Sequence, residues 1–204
     1  CAGGMEANVK LNYDQVESPA YYTGYRVSLS GLAGGHSGLD IHLERGNANK
    51  LLNRFIKHVT DELGVRLSCM NGGNLRNAIP REAYADVIVP DEQTKVFEEK
   101  VKEYEALYKH EIGDVDPNVK LETEQIELPI NVLEWPGQMA LLDAIYAVPH
   151  GVVRKSTSME NLVETSNNLA VVKTKNGETY VQTLIRSSVD SAKHDVAQMI
   201  RAVM

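Results

Sequence analysis

The chain has 204 residues, 43% of them apolar and 24% charged, with a net charge of −7. That is enough chain for a real core in one large or two small domains. The acidic balance argues against binding a nucleic-acid backbone. No stretch approaches the roughly 18 consecutive apolar residues of a membrane span, and Cys1 and Cys69 alone make neither a disulfide framework nor a cysteine zinc site.

The chain opens Cys1-Ala2-Gly3-Gly4, with no initiator Met and no signal segment, and reads as a piece of a longer protein from a reducing, cytoplasmic setting. The first clear element is a strand over Tyr25–Leu32, where Val27 and Leu29 alternate with Arg26, Ser28 and Ser30. Gly34-Gly35-His36-Ser37-Gly38 is too rich in glycine to continue it. From Asn47 a helical period takes over, with Ala48, Leu52, Phe55, Val59 and Leu63 inward and Gly64 as the stop.

Val65–Met70 alternates again, and the turn-prone Asn71-Gly72-Gly73-Asn74 leads to a strand over Ala83–Val89. Pro90-Asp91-Glu92 starts a long helix whose stripe is Phe97, Val101, Tyr104, Tyr108 and Ile112, ended by Gly113. Val119–Ile126 is a further strand. Residues 22–127 thus read strand, helix, strand, strand, helix, strand. That order predicts an α+β, ferredoxin-like βαββαβ unit, an antiparallel sheet with two helices on one face. Between Asp91 and Glu127 the acidic surplus equals the net charge of the whole chain, and a solvated face is its simplest reading.

Residues 128–166 carry Pro129, Pro136 and Pro149 and one short helix over Gly137–Val148. Leu169–Thr174 and Thr179–Val189 flank Asn176-Gly177, a pair favoured in tight hairpin turns. A last helix begins near Asp190-Ser191 with Val196, Ile200 and Val203 inward. These elements predict a partial second lobe, short of a closing strand.

Chemistry-bearing residues are sparse. The six histidines form no HExxH and no close pair, although Asp40-x-His42 could put two metal ligands on one side of a strand near His36. His36 sits among glycines at a strand end, where an imidazole can be presented to a ligand or simply be exposed. Asn77 lies in a tight connection with Asn74 and Arg76, where asparagine commonly bonds its own backbone. Arg186 lies inside a strand and calls for a carboxylate partner, structural or supplied by substrate.

Several segments are nevertheless specific. Gly34-Gly35-His36-Ser37-Gly38, Ile41-His42, Gly46-Asn47-Ala48-Asn49-Lys50-Leu51-Leu52, the run Asn71 to Ala83, Val163-Glu164-Thr165-Ser166 and Leu184-Ile185-Arg186-Ser187 resemble the aminoacyl-histidine dipeptidases (Xaa-His dipeptidases, peptidase D). These belong to the zinc metallopeptidases that include carnosinases and aminoacylases. The resemblance spans nearly the whole chain and is loose only over 114–160.

The resemblance implies the inserted lid domain of such an enzyme. Residues 1–20 would then be a linker from the catalytic domain, 21–127 the ferredoxin-like lobe and 128–204 the second lobe. It implies a dipeptide substrate and two zinc ions held by residues outside this chain; separately, the edge strands and the lost closing strand predict that the chain self-associates as a homo-oligomer. It also implies that His36 stabilises the oxyanion of the tetrahedral intermediate, that Asn77 contacts substrate and that Arg186 binds the dipeptide carboxylate. It gives no role to Asp40, His42 or Glu164, and the isolated chain would be inactive. The competing reading is a free-standing ferredoxin-like module that binds a small molecule or dimerises through a sheet edge. RNA binding through the sheet is weaker, because Phe55 and Phe97 are the only Phe residues and both fall on helices.

Overall fold

The computed structural model describes residues 3–175 and 177–204. The predicted βαββαβ unit is present. Its strands are β3 (Tyr22–Ser30), β5 (Arg66–Gly72), β7 (Ala83–Pro90) and β8 (Lys120–Ile126), and its helices are α1 (Ala48–Leu63) and α2 (Thr94–Ile112). Neighbours run β5-β7-β3-β8, all antiparallel, which is the split βαβ arrangement. The caps of α1 are as the sequence suggests. The Asn47 side chain accepts from the Lys50 N–H at 3.2 Å, and Gly64 closes the helix in the left-handed region at φ 69°.

Four further elements complete the main sheet and its cover. They are β1 (Gly3–Asn12), β11 (Val163–Lys175), β12 (Glu178–Ser187) and α4 (Asp190–Val203). The sheet order is β1-β12-β11-β5-β7-β3-β8, with β10 (Gly151–Lys155) paired to β11. Shorter pieces are β2 (Gln15–Glu17) paired with β9 (Asn131–Leu133), β4 (Gly35–His36) paired with β6 (Ala78–Ile79), and helix α3 (Trp135–Ala147) against α1.

Three expectations need correction. Residues 1–20 were expected as a linker, yet Gly3–Asn12 form an edge strand in full register with β12, from Gly3 opposite Ser187 to Asn12 opposite Glu178. Their alternation of Met5, Ala7, Val9 and Leu11 with Glu6, Asn8, Lys10 and Asn12 is the period of a half-buried strand. The break expected at residue 128 is not a break in the core. Leu142 and Ile145 of α3, with Leu169, Val172 and Val181, pack in one cluster with Phe55 and Phe97. Val203 was expected inward and is 36% exposed, because only Val196 and Ile200 reach Ile185 beneath α4.

The halves join where β5 meets β11, at Gly72 opposite Val172 and Asn71 opposite Lys173. Just beyond, Gly73 adopts φ +70°, and a methyl there would stand 1.9 Å from the Ala170 carbonyl oxygen. Ala170 is the extra residue of a bulge in β11, so only glycine permits that approach. Asn176 of the expected hairpin turn lies outside the described residues, while Gly177 is left-handed at φ +80°. The helices share one face: α4 rests on Ile185, Met5 and Ala7, on the side of the sheet from which Val181 enters the main core. The opposite face is polar. There Arg26 grips Asp86 with two bonds of 2.7 and 2.8 Å.

Candidate functional site

The three residues singled out from sequence come together at one end of the sheet, although they come from opposite ends of the chain. His36 lies on β4, directly opposite Ala78 of β6, and Asn77 is the turn residue just before β6. The Asn77 carbonyl accepts the Ser37 N–H at 2.8 Å. Arg186 reaches the same place from β12. A methyl placed on Gly38 would meet its Nε at 2.8 Å and its Cζ at 2.9 Å, so the guanidinium stem lies flat on that glycine.

Each placement has a local cause. Gly34 and Gly35 have φ +64° and +145°, and a methyl on Gly35 would strike the Asp40 carboxylate at 2.7 Å. The chain can therefore turn sharply and offer the imidazole. Asp40 Oδ2 accepts the His36 N–H at 2.8 Å, while the His36 carbonyl takes the N–H groups of Leu39 and Asp40 at 3.0 and 2.8 Å. The His36 ring accepts the Gly38 N–H at Nδ1, 3.1 Å away. In the neutral ring the proton then sits on Nε2, which leaves a donor facing away from the loop.

Arg186 is flanked in register by Gly4 on β1 and Ser166 on β11, two small residues that leave its side chain room to lie over toward Gly38. The sequence left its partner open between a structural and a substrate carboxylate. Its Nε is buried without a hydrogen-bond partner, and no carboxylate pairs with it among the described residues. The nearby candidate, Glu164, is engaged instead by Arg154 at 3.4 Å.

Asn77 itself is exposed, but the turn that carries it is anchored by a residue that spacing did not reveal. Asn168, buried in β11, donates to the carbonyls of Ala78 at 2.8 Å and Arg76 at 3.3 Å, one on each side of Asn77. It closes the polar run Glu164 to Asn168 that opens β11, and nothing in that run marks it out from Asn167 beside it. Beside His36 and Asn77, though not lined by Arg186, a cleft of about 990 Å³ opens on the polar side of the sheet, with Asn74, Arg81, Tyr84 and Lys173 among its other walls. Asp40 is spent on the loop backbone and His42 is exposed on a short 3-10 turn, so the pair suggested by Asp40-x-His42 does not form a shared site. Among the described residues no three His, Cys, Asp or Glu side chains are grouped to hold a metal.

Residues 27–116 match the family described as peptidase dimerisation domain. Over 200 residues it is 38% identical to the cytosol non-specific dipeptidase of Escherichia coli (strain K12), which covers 98% of this chain and 41% of that protein. It matches the crystal structure of aminoacylhistidine dipeptidase from Vibrio alginolyticus with a TM-score of 0.97 and 38% identity, over 100% of this chain and 41% of that one. The chain thus spans about two fifths of the length of either relative.

Proposed function

We propose that this chain is the lid of a cytoplasmic, metal-dependent dipeptidase that hydrolyses Xaa-His dipeptides, and that it closes on a catalytic domain of the same protein. The observation that carries the reading is the convergence of His36, Asn77 and Arg186 around Gly38. The whole-length likeness to two dipeptidases adds to it. The two zinc ions of the proposal find no ligand set among the described residues and would be held by the catalytic domain.

The roles follow from the donors present. Arg186 has a fixed fork of N–H donors and no carboxylate partner among the described residues, so it takes the free carboxylate of a dipeptide. That selects a substrate with its C-terminus one residue beyond the cleaved bond. His36, with Nδ1 occupied by the Gly38 N–H, offers Nε2–H to the oxygen that gains charge as the carbonyl becomes tetrahedral. Asn77 supplies an amide donor beside it. Closure of the lid excludes water and completes the set.

The lid also brings copies together. The sheet ends in two edges, β1 and β8, and an open edge pairs readily with another strand. Light scattering of the chain is expected to give the mass of a dimer or larger species, and a monomer mass that does not change with concentration contradicts this.

The functional test uses the full-length parent protein. His36→Ala is expected to lower kcat on β-alanyl-histidine on the order of 100-fold, with bound metal retained. Unchanged kcat and KM would reduce His36 to an ordinary loop residue. A parent that hydrolyses no Xaa-His dipeptide would favour the free-standing binding module.

A further inference from the structure

We infer that Asp116 is a positioning residue for His36. It acts as a clasp that closes both stems of the loop 33–46 and so fixes where the imidazole is presented. The inference rests on the reading of His36 as a substrate-facing donor, and it names the group that holds it there.

Asp116 is fully buried, and both of its carboxylate oxygens are used on the loop. Oδ1 accepts the Ala33 N–H and Oδ2 accepts the Gly46 N–H, each at 2.6 Å. One carboxylate therefore sets the separation of the two stems. Its own backbone is fixed by the turn that ends α2. The Asp116 N–H donates to Ile112 O at 2.8 Å, and its carbonyl accepts the Val119 N–H at 3.1 Å.

The rest of the seat agrees. A methyl on Gly31, which has φ +79°, would fall 1.8 Å from the Asn118 carbonyl oxygen, and one on Gly46 would meet Ile112 Cδ1 at 2.9 Å. Both stems of the loop are thus pressed against residues 112–118. Inside the loop, Arg45 Nη1 donates to Gly34 O at 2.7 Å, and Asp40 holds the His36 N–H. Those inner bonds shape the tip, the β4/β6 pairing and the Ser37 N–H bond to the Asn77 carbonyl join it to residues 77–79, and Asp116 alone bonds both stems at once. Charge-assisted bonds from backbone N–H to a buried carboxylate are strong, and removing the charge leaves one N–H facing an amide.

The test has two arms. In the full-length parent, Asp116→Asn is expected to lower kcat about 10- to 100-fold with KM within about twofold, since a displacement on the order of an ångström in a transition-state donor has that effect. In the 204-residue chain, nitrogen-15 NMR of wild type is expected to show His36 as one neutral tautomer with the proton on Nε2. Asp116→Asn is expected to mix the tautomers and to speed amide exchange at Ala33 and Gly46. A residue that only adds stability would lower Tm and leave the tautomer and the kcat of folded enzyme as they were.

Unchanged kcat in Asp116→Asn, together with faster exchange at Ala33 and Gly46 and a large loss in His36→Ala, would overturn the clasp alone. A silent His36→Ala would instead overturn the role of His36, and the NMR arm would still decide whether Asp116 sets its geometry. Asp116→Glu keeps both acceptors on a longer arm and serves where Asp116→Asn does not fold. It is expected to lower kcat with little change in KM, and wild-type kcat in that variant overturns the proposal.

Discussion

His36 and Arg186 are held at the same place by unlike means. Arg186 rides on β12, between two strands whose ladders continue past it on both sides. His36 rides on a loop with only two residues of strand at its tip, and its position depends on side chains that bond the backbone. A ladder spreads the work of positioning over many equivalent bonds, whereas a clasp concentrates it in one or two buried groups. The strand-borne group should therefore tolerate most changes outside its own neighbours, and the loop-borne group should be sensitive to a few remote ones.

The largest expected effect breaks the joint that lets the two regions meet. Gly73→Ala puts a methyl against the Ala170 carbonyl and asks a left-handed position of a residue with a side chain. A stability loss of about 3 to 5 kcal/mol is expected in urea unfolding of the chain, and a loss near zero would mean that the bulge yields.

A smaller effect comes from His150, which lies between the end of the His36 loop and β11. Its Nδ1 faces Asn47 Nδ2 at 3.2 Å and the Leu169 N–H at 3.4 Å. Burial, with a lesser contribution from nearby Lys50, pushes its pKa down from 6.5 to about 4. The unfolded chain takes up that proton near pH 6.5, so this contribution is whole above 6.5 and is lost as pH falls from 6.5 toward 4. Its size is on the order of 3 kcal/mol. His150→Gln is expected to flatten Tm against pH across that window, and a slope unchanged by the substitution would assign the effect to other groups.

Asn168→Ala sharpens the comparison further. It removes two bonds to the segment that carries Asn77 and none to Arg186, so about 1 to 2 kcal/mol of stability should go, with faster amide exchange confined to residues near Asn77. Gly38→Ala should change stability least. Its methyl would fall on Arg186, so the expected result in the parent is a KM raised about tenfold at nearly unchanged Tm.

Much of this was legible in the sequence. The ferredoxin-like unit follows from two periods, alternation in β3, β5, β7 and β8 and the 3.6-residue stripe in α1 and α2, because one buried face dictates each pattern. The strand β1 carries the same signal in Met5, Ala7, Val9 and Leu11, but its partner, β12, lies at the far end of the chain, so no local hairpin marks it. His36, Asn77 and Arg186 could be picked out by residue type and neighbouring glycines, but their meeting could not, since it depends on Arg186 lying on Gly38. Asp116 was hidden for another reason. It is one carboxylate in the acidic run from Asp91 to Glu127, and only the three-dimensional path of the loop separates a buried clasp from a solvated charge.

The central claim is that a strand-borne arginine and a loop-borne histidine serve one small substrate. It is tested most directly by Arg186→Ala in the parent, assayed on a dipeptide and on the same dipeptide with an amidated C-terminus. The account predicts that kcat/KM falls on the order of 100-fold or more for the free carboxylate and hardly at all for the amide, because only the carboxylate uses the guanidinium. An equal fall on both substrates would contradict it and make Arg186 a structural residue of β12.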